Sequence, residues 1–376
     1  MLDIREAAEA FPPGEILKDE LEARGWTQDT LAEITGIPGS VISNIVNGKR
    51  AISVEIASSL ASALGTSAQL WMNLETSYQL WMETRADDKI ARKALLYSLA
   101  PINELIKRGW IEATKNLDDL EQRLLAFLER QSVDEPSQLV FAAKRSTEKA
   151  NPSQVAWVYR AKKLARGIRV GKFSDESFAR ALKILREFLK NAEDLREIPK
   201  VLAEAGIRLV LIEGLPKGRI DGATFWLEDG PVIVMSMRYD RLDYFWFILM
   251  HELGHIANRD AVGAAPILDV NLVGDDAIPF EDKSEVEKRA DMFAENFLIE
   301  RREIDNFIAR VAPLYSKVKI KKFAARIGVH PAIVLGRLQF RKEVDWSHSR
   351  EMLVKARDIL ILGVLTDGWG HTPPTL

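Results

Sequence analysis

Apolar residues recur every three to four positions through the first 84 residues, a spacing typical of amphipathic helices. Gly25 and the pair Asn47-Gly48 interrupt this pattern, and Thr27 is placed to cap the helix that follows Gly25. A tight turn is predicted at Thr35-Gly36-Ile37-Pro38. Thr27 to Gly48 therefore has the layout of a helix-turn-helix, which is a capped helix, a turn containing glycine and a second amphipathic helix.

The helical spacing continues from Arg85 to about Leu189 and is then replaced by patterns typical of strands. Residues 85–150 are interpreted as a connector or a dimerisation arm. β-Branched and aliphatic runs bounded by glycine and proline then predict strands. These strands are Ile207–Ile212, Gly222–Leu227 and Pro231–Ser236.

A long helix is predicted after the strands, with Asp240 as its cap. It is followed by Asn258–Glu281, which is interpreted as a loop because it contains several Gly, Asp and Pro residues. Helices resume at Asp282. The predicted domains are residues 1–84, a helix-turn-helix domain; 85–150, a helical connector; 151–345, a second domain; and 346–376, a C-terminal tail.

Composition narrows the possible classes of protein. The hydrophobic content of 47% and charged content of 28% are those of globular domains, and 376 residues suggest more than one domain. The N-terminus lacks the apolar core of a signal peptide, and no apolar run is long enough to span a membrane, so we expect a cytoplasmic protein. The absence of cysteine excludes disulfides and leaves histidine and carboxylates as metal ligands.

The strongest chemical signal is His251-Glu252-Leu253-Gly254-His255. Positions i and i+4 share one face of a helix, so His251 and His255 can bind one tetrahedral Zn²⁺ ion. Glu252 lies beside the metal, where it can take a proton from water and pass it to a leaving amine. The alternative is a structural pair of histidines.

A third metal ligand is expected downstream. Glu287 is the preferred ligand, and Asp291, four residues later, is expected to orient a ligand histidine. A capping box between Ser284 and Glu287 would bind the Glu287 side chain to the start of the helix and not to a metal. The pair Asp282 and Glu285 could form a similar box that starts earlier and leaves Glu287 free. Two weaker candidates for the third ligand remain, Glu285 and His330.

The second helix of the helix-turn-helix carries a polar side suited to DNA. Serine and asparagine can contact base edges or phosphates, and Lys and Arg bind phosphates. A small helical protein-binding domain is the alternative, because the first helix is acidic. The predicted DNA-binding residues are Gln28, Ser40, Ser43, Asn44, Asn47, Lys49 and Arg50.

Two known families resemble this chain. The region from Gly14 to about Leu74 resembles helix-turn-helix antitoxins of the HigA type, an XRE-like class. The matching residues are Gly14-Glu15-Ile16-Leu17, Trp26-Thr27-Gln28, Leu31-Ala32, Ser43 to Arg50 and Trp71. The resemblance implies a repressor that binds its own operator, commonly as a dimer, and neutralises a cognate toxin.

The region from about Gly206 to Leu338 resembles the ImmA/IrrE metallopeptidases. The matching residues are His251 to His255, Glu287, Ala290-Asp291, Phe293-Ala294 and Leu298. This chain has Leu298-Ile299-Glu300 where the family often has proline third. The resemblance implies zinc-dependent cleavage of a regulatory protein.

These observations predict a multidomain α+β protein with an all-α helix-turn-helix domain and a zincin-like domain. The latter is expected to have a small antiparallel sheet beside the histidine helix. The predicted function is a DNA-binding regulator or antitoxin with a zinc metallopeptidase domain, forming a homodimer. Its expected partners are operator DNA, a cognate toxin and a protein substrate, which could be the segment 85–150 itself. The alternatives are a protease that its DNA domain merely localises, and a sensor whose zinc site is structural or regulatory.

Overall fold

The computed structural model describes residues 11–84, 88–135, 150–263, 265–274 and 276–371. The chain divides into two compact units, Met1–Leu95 and Leu96–Leu376. Residues 85–87 and 136–149 of the predicted connector lie outside the described part of the chain. None of the described helices is both long enough and apolar enough to cross a membrane.

The first unit is helical, as predicted. Leu17, Leu31, Ile42, Leu60 and Trp71 are fully buried at its centre. It contains the helices α1 (Pro13–Arg24), α2 (Gln28–Thr35), α3 (Gly39–Val46), α4 (Val54–Leu64) and α5 (Ala68–Thr84). The next helix, α6 (Asp88–Leu99), begins in the first unit and ends in the second.

Local sequence signals set the ends of these helices. Thr27 caps α2 because its side chain accepts a hydrogen bond from the Thr30 amide at 3.1 Å. Gly25 and Gly36 adopt left-handed backbone angles after α1 and α2, with φ of 67° and 71°. The predicted helix-turn-helix is therefore confirmed in both its helices and its turn.

The second unit is built around a five-stranded sheet with the order β4-β2-β3-β1-β5. The strands are β1 (Arg208–Ile212), β2 (Ile220–Leu227), β3 (Gly230–Met235), β4 (Ile267–Val270) and β5 (Leu365–Asp367). β2 runs antiparallel to β3 and β4, whereas β1 runs parallel to β3 and β5. The sheet is therefore mixed, and the prediction of an antiparallel sheet was wrong.

Helices cover both faces of this sheet. The N-terminal group is α7 (Ile102–Lys107), α8 (Leu117–Phe127), α9 (Pro152–Arg166), α10 (Asp175–Phe188) and α11 (Ile198–Glu204). The C-terminal group is α12 (Leu242–Asn258), α13 (Glu285–Leu298), α14 (Arg301–Val311), α15 (Lys317–Ile327), α16 (Pro331–Phe340) and α17 (Arg357–Leu360). Short 3-10 helices lie at Ala192–Glu197, Phe280–Asp282 and Arg350–Met352.

Alternation along β1 shows how the two faces are filled. Val210 and Ile212 pack in the core that contains α9, while Leu209 and Leu211 pack in the core that contains α12. Residues 350–367, predicted as part of a C-terminal tail, supply α17 and the edge strand β5 of the same sheet.

Two local predictions in this unit were wrong. Asp240 does not cap α12, because its carboxylate accepts hydrogen bonds from the amides of Ala356 and Arg357 at 2.9 and 2.7 Å. The segment 258–281, predicted as a loop, contains the strand β4. This strand matters because it carries a residue of the candidate site.

Candidate metal centre and nucleic-acid interface

Helix α12 places two histidines side by side beneath the sheet. His251 and His255 are fully buried, and their Nε2 atoms lie 3.1 Å apart. Their separation of four residues puts both rings on one helix face, as the sequence predicts. The facing Nε2 atoms therefore define a point at which one ion can be shared.

Both Nδ1 atoms are held by carboxylates. His251 Nδ1 lies 2.9 Å from Asp291 Oδ1, and His255 Nδ1 lies 3.0 Å from Asp260 Oδ2. Asp291 also pairs with the buried Lys283. Such bonds fix the ring orientation and leave Nε2 available to a metal. Asp291 thus lies where sequence reasoning placed it, while the contact of Asp260 was missed.

Two further carboxylates face the histidine pair. Glu287 on α13 lies 3.4 Å from His251 Nε2 through Oε2 and 3.9 Å from His255 Nε2 through Oε1. Asp269 on β4 places Oδ2 3.4 Å from both Nε2 atoms. Asp269 was missed because its strand was predicted as loop. The four residues are buried, and their potential ligand atoms all lie within 4.8 Å of one another.

The spacing of these four residues fits zinc. Four ligands at the usual zinc distances of about 2.0–2.1 Å, arranged as a tetrahedron, lie about 3.3 Å from one another. The two Nε2 atoms lie 3.1 Å apart, and the nearest carboxylate oxygens of Asp269 and Glu287 lie 3.4 to 3.9 Å from them. Two imidazoles and carboxylates are also the donors that zinc accepts when no cysteine is present.

The electrostatics of the cluster favour a bound cation. Burial acts to lower the pKa of His255, but hydrogen bonds with Asp260 and Asp269 raise it to about 9. Burial likewise opposes the charge on His251, and the charge of Asp269 and bonds to neighbouring carboxylates raise the pKa of His251 well above its usual value. The carboxylates therefore stabilise positive charge at the point where the two Nε2 atoms meet.

Glu252 is buried on the sheet side of α12. Its Oε2 accepts a hydrogen bond from Thr224 Oγ1 at 2.6 Å. Burial, helped by the nearby charge of Asp269, raises the pKa of Glu252 to about 8. Gly222 provides space for this carboxylate, because a Cβ atom at Gly222 would lie 2.0 Å from Glu252 Oε1. Two residues of β2 therefore position Glu252: Thr224 donates a hydrogen bond to it, and Gly222 leaves space for its carboxylate.

Close packing of α12 against α13 brings Glu287 to the histidines. A Cβ atom at Gly254 would lie 3.1 Å from Ala290 Cα and 3.2 Å from Phe293 Cβ. Ala290 and Ala294 are fully buried. The small residues of both helices thus allow their close approach.

The other ligand candidates lie outside this cluster. Glu285 is exposed and pairs with Lys288, and His330 caps α16 by accepting the Ala332 amide at 3.1 Å. Helix α13 begins at Glu285 with Ser284 as its cap, so the start proposed at Asp282 was wrong. Ser284 accepts the Glu287 amide at 3.3 Å, while the Glu287 carboxylate faces the histidines.

The predicted DNA-binding residues lie on α2, on α3 and on the turn after α3. Ser40 and Asn44 are exposed on α3, and Gln28 is half-buried at the start of α2. Asn47 Nδ2 donates to the Ser43 backbone oxygen at 2.7 Å, which closes the end of α3. The remaining two, Lys49 and Arg50, are exposed just after it.

A buried carboxylate fixes the segment that follows α3. Glu75 on α5 accepts a hydrogen bond from the Ile52 amide at 3.0 Å and another from Gln79 at 2.8 Å. Because Ile52 is itself buried, this contact anchors the chain two residues after Arg50. The basic residues therefore extend from a fixed point of the first unit.

Two family models match the chain. Residues 17–71 match a helix-turn-helix family, HTH_3, and residues 203–339 match the IrrE N-terminal-like domain, Peptidase_M78. The first match covers α2 and α3. The second covers the sheet strands β1 to β4 and every member of the four-residue cluster.

Curated relatives match the N-terminal part of the chain. Over 63 residues it is 40% identical to antitoxin HigA-1 of Vibrio cholerae, a match that covers 16% of this chain and 59% of that protein. It is 32% identical to the uncharacterised HTH-type transcriptional regulator YddM of Escherichia coli, over 17% of this chain and 67% of that protein. The chain thus spans about three fifths to two thirds of these relatives.

Solved structures resemble the same part. An addiction module antidote protein of the HigA family from Coxiella burnetii is 32% identical, with a TM-score of 0.22, over 23% of this chain and 94% of that one. A Pseudomonas aeruginosa protein, PA4674, solved in complex with its operator DNA, is 34% identical, also with a TM-score of 0.22, over 23% of this chain and 92% of that one. By its sequence matches, the chain combines an XRE-like helix-turn-helix domain with a domain of the IrrE N-terminal-like peptidase family.

Proposed function

We propose that this protein is a DNA-binding transcriptional regulator of the antitoxin type that carries a zinc-dependent peptidase. One observation supports the peptidase most strongly. A fully buried carboxylate, Glu252, lies next to a pair of histidines whose Nε2 atoms face Glu287 and Asp269. A purely structural metal site has no need of a further carboxylate at that position.

The proposed reaction is hydrolysis of a peptide bond in a regulatory protein. His251, His255 and Glu287 would hold the zinc ion, which when bound polarises the peptide carbonyl and makes water more acidic. Glu252 accepts a proton from the attacking water and passes it to the leaving amine. Thr224 keeps the Glu252 carboxylate oriented during both transfers.

The proposed DNA contacts come from the first unit. Ser40 and Asn44 on α3 would reach base edges or phosphates, and Lys49 and Arg50 would bind phosphates. The names of the curated relatives, an antitoxin and a transcriptional regulator, support this role. We extend the proposal to an operator bound by a homodimer and to a cognate toxin as partner.

A second function, sensing through a structural zinc site, is favoured by one observation. Asp269 gives the histidine pair a fourth protein side chain, and sites filled by four protein ligands are typically structural. Glu252 distinguishes the two functions, since a sensor would keep its zinc response when Glu252 is replaced by glutamine.

A single substitution, Glu252→Gln, tests the peptidase. The amide keeps the size of the side chain but cannot accept the proton, so proteolysis should fall by about 10²–10⁴-fold. Zinc content and operator binding should be unchanged. Glu285→Gln is the matched control, because Glu285 is an exposed glutamate outside the cluster.

The full-length proteins are incubated with zinc and with the products of neighbouring genes, and fragments are identified by mass spectrometry. Gel-shift titration of the DNA upstream of the gene measures operator binding in the same preparations. Equal fragments from wild type and Glu252→Gln would refute catalysis at this site. If neither zinc-loaded wild type nor an Asp269→Ala variant, which removes the fourth side chain of the cluster, cleaves anything, the sensor is favoured.

A further inference from the structure

Asp269 reaches the histidine pair from the edge strand β4 and not from the two helices that carry the other members of the cluster. Its side chain is fully buried, and Oδ2 is equally distant, at 3.4 Å, from the Nε2 atoms of His251 and His255. These equal distances place this oxygen at the point where the two imidazoles meet. This position is the one expected of a ligand to an ion that the histidines share.

A tetrahedral ion has four positions, and this cluster offers four protein side chains. Catalytic zinc sites typically use three protein ligands and keep the fourth position open for water. We propose that Asp269 is the fourth protein ligand, so that the centre is closed and the peptidase is latent in this conformation. The inference rests on the proposed function, since it concerns the regulation of the same site.

The fold makes withdrawal of Asp269 easier than withdrawal of the other ligands. His251, His255 and Glu287 lie within long helices packed closely together, whereas β4 has only four residues and ends the strand order next to β2. The β2–β4 register also shifts between Ile220 and Gly222. Releasing a four-residue edge strand disrupts only its short pairing with β2, whereas separating α12 from α13 exposes buried apolar side chains such as Leu253 and Ala294.

Cobalt substitution tests the closed centre without relying on proteolysis. Full-length wild type, Asp269→Ala and the control Glu285→Gln are loaded with Co²⁺, and their visible spectra are titrated with acetohydroxamate. Wild type and the control should bind one Co²⁺ and show little spectral change. Asp269→Ala should bind one Co²⁺ and show a saturable change, because a ligand position is open. Asp269→Asn, which preserves the shape of the side chain, should behave similarly, and circular dichroism confirms folding.

Cleavage provides the second measurement. When an open form is populated at about 0.1–10%, removing the closing ligand raises the rate about 10–1000-fold. If wild-type Co²⁺ protein binds acetohydroxamate as readily as Asp269→Ala, the closed centre is disproved while the proposed peptidase stands. If folded Asp269→Ala and Asp269→Asn bind no Co²⁺, the latency is disproved, since Asp269 is then indispensable. If wild type binds no Co²⁺, the proposed function fails as well.

Discussion

Thr224 and Glu252 are joined by a hydrogen bond of 2.6 Å between two fully buried side chains, one on strand β2 and the other on helix α12. The donor is the Thr224 hydroxyl and the acceptor is Oε2 of the carboxylate. The other oxygen, Oε1, lies against Gly222, where no side chain intervenes. One oxygen is thus fixed by a hydrogen bond, and the other occupies the space left by the missing side chain of Gly222.

We predict that Thr224→Val lowers kcat about tenfold and leaves KM nearly unchanged. Supporting residues of this kind typically contribute about 10–100-fold to activity or to metal affinity. Thr224→Ser should restore most of the rate, because it keeps the hydroxyl. Steady-state kinetics of the three proteins, with zinc content measured in parallel, checks this. A Thr224→Ser variant as slow as Thr224→Val would show that packing, not the hydrogen bond, matters.

We predict that His251→Ala loses zinc while His330→Ala retains it. His251 Nε2 faces the cluster, whereas His330 caps α16 outside it. Loss of the His330 cap should instead lower the free energy of unfolding by about 0.5–2 kcal/mol. Metal analysis after dialysis and denaturant unfolding provide the two measurements. Undiminished zinc in His251→Ala would overturn the assignment of the centre.

We predict that Asp291→Asn weakens zinc binding about 10–100-fold, because Asp291 orients His251. The substitution also leaves the buried Lys283 ammonium without its carboxylate, and breaking a buried pair in this way costs about 3–5 kcal/mol of stability. The double variant Lys283→Met/Asp291→Asn should recover stability but not zinc affinity. If it recovers both, Asp291 affects zinc affinity only by stabilising the folded protein.

We predict that Arg50→Ala weakens binding to operator and unrelated DNA alike. It should also reduce the slope of the logarithm of the binding constant against the logarithm of the salt concentration by about 1. Asn44→Ala should weaken operator binding more than non-specific binding, because α3 is expected to read bases. Lys18→Ala is the matched control, as Lys18 is an exposed basic residue on α1. Fluorescence anisotropy at several salt concentrations separates these effects. Equal losses in all three variants would contradict the assigned interface.

Local sequence signals predicted the elements that depend on neighbours along the chain. Thr27 and Gly36 delimit α2, and the four-residue spacing of His251 and His255 fixes their shared helix face. Such features need only local geometry. Glu287 was predicted as the third ligand, and it lies in the cluster with both histidines.

Features that depend on distant pairing were missed. The strand β4 is short and lies between turn-forming residues, so nothing local distinguishes Asp269 from a loop aspartate. β1 pairs with β5 more than 150 residues later, which no local pattern indicates. Asp240 has the right residue type for a cap, but the amides of Ala356 and Arg357 compete for its carboxylate.

The packing at Gly254 bears on which ions the centre selects. A methyl group there would require Ala290 and Phe293 to move by a few tenths of an ångström, and α13 carries Glu287. That displacement is comparable to the difference between zinc–oxygen distances of about 2.0–2.2 Å and calcium–oxygen distances of about 2.3–2.6 Å. A preference of the proposed centre for a small ion would therefore depend on the distance between two helices as well as on the chemistry of the ligands.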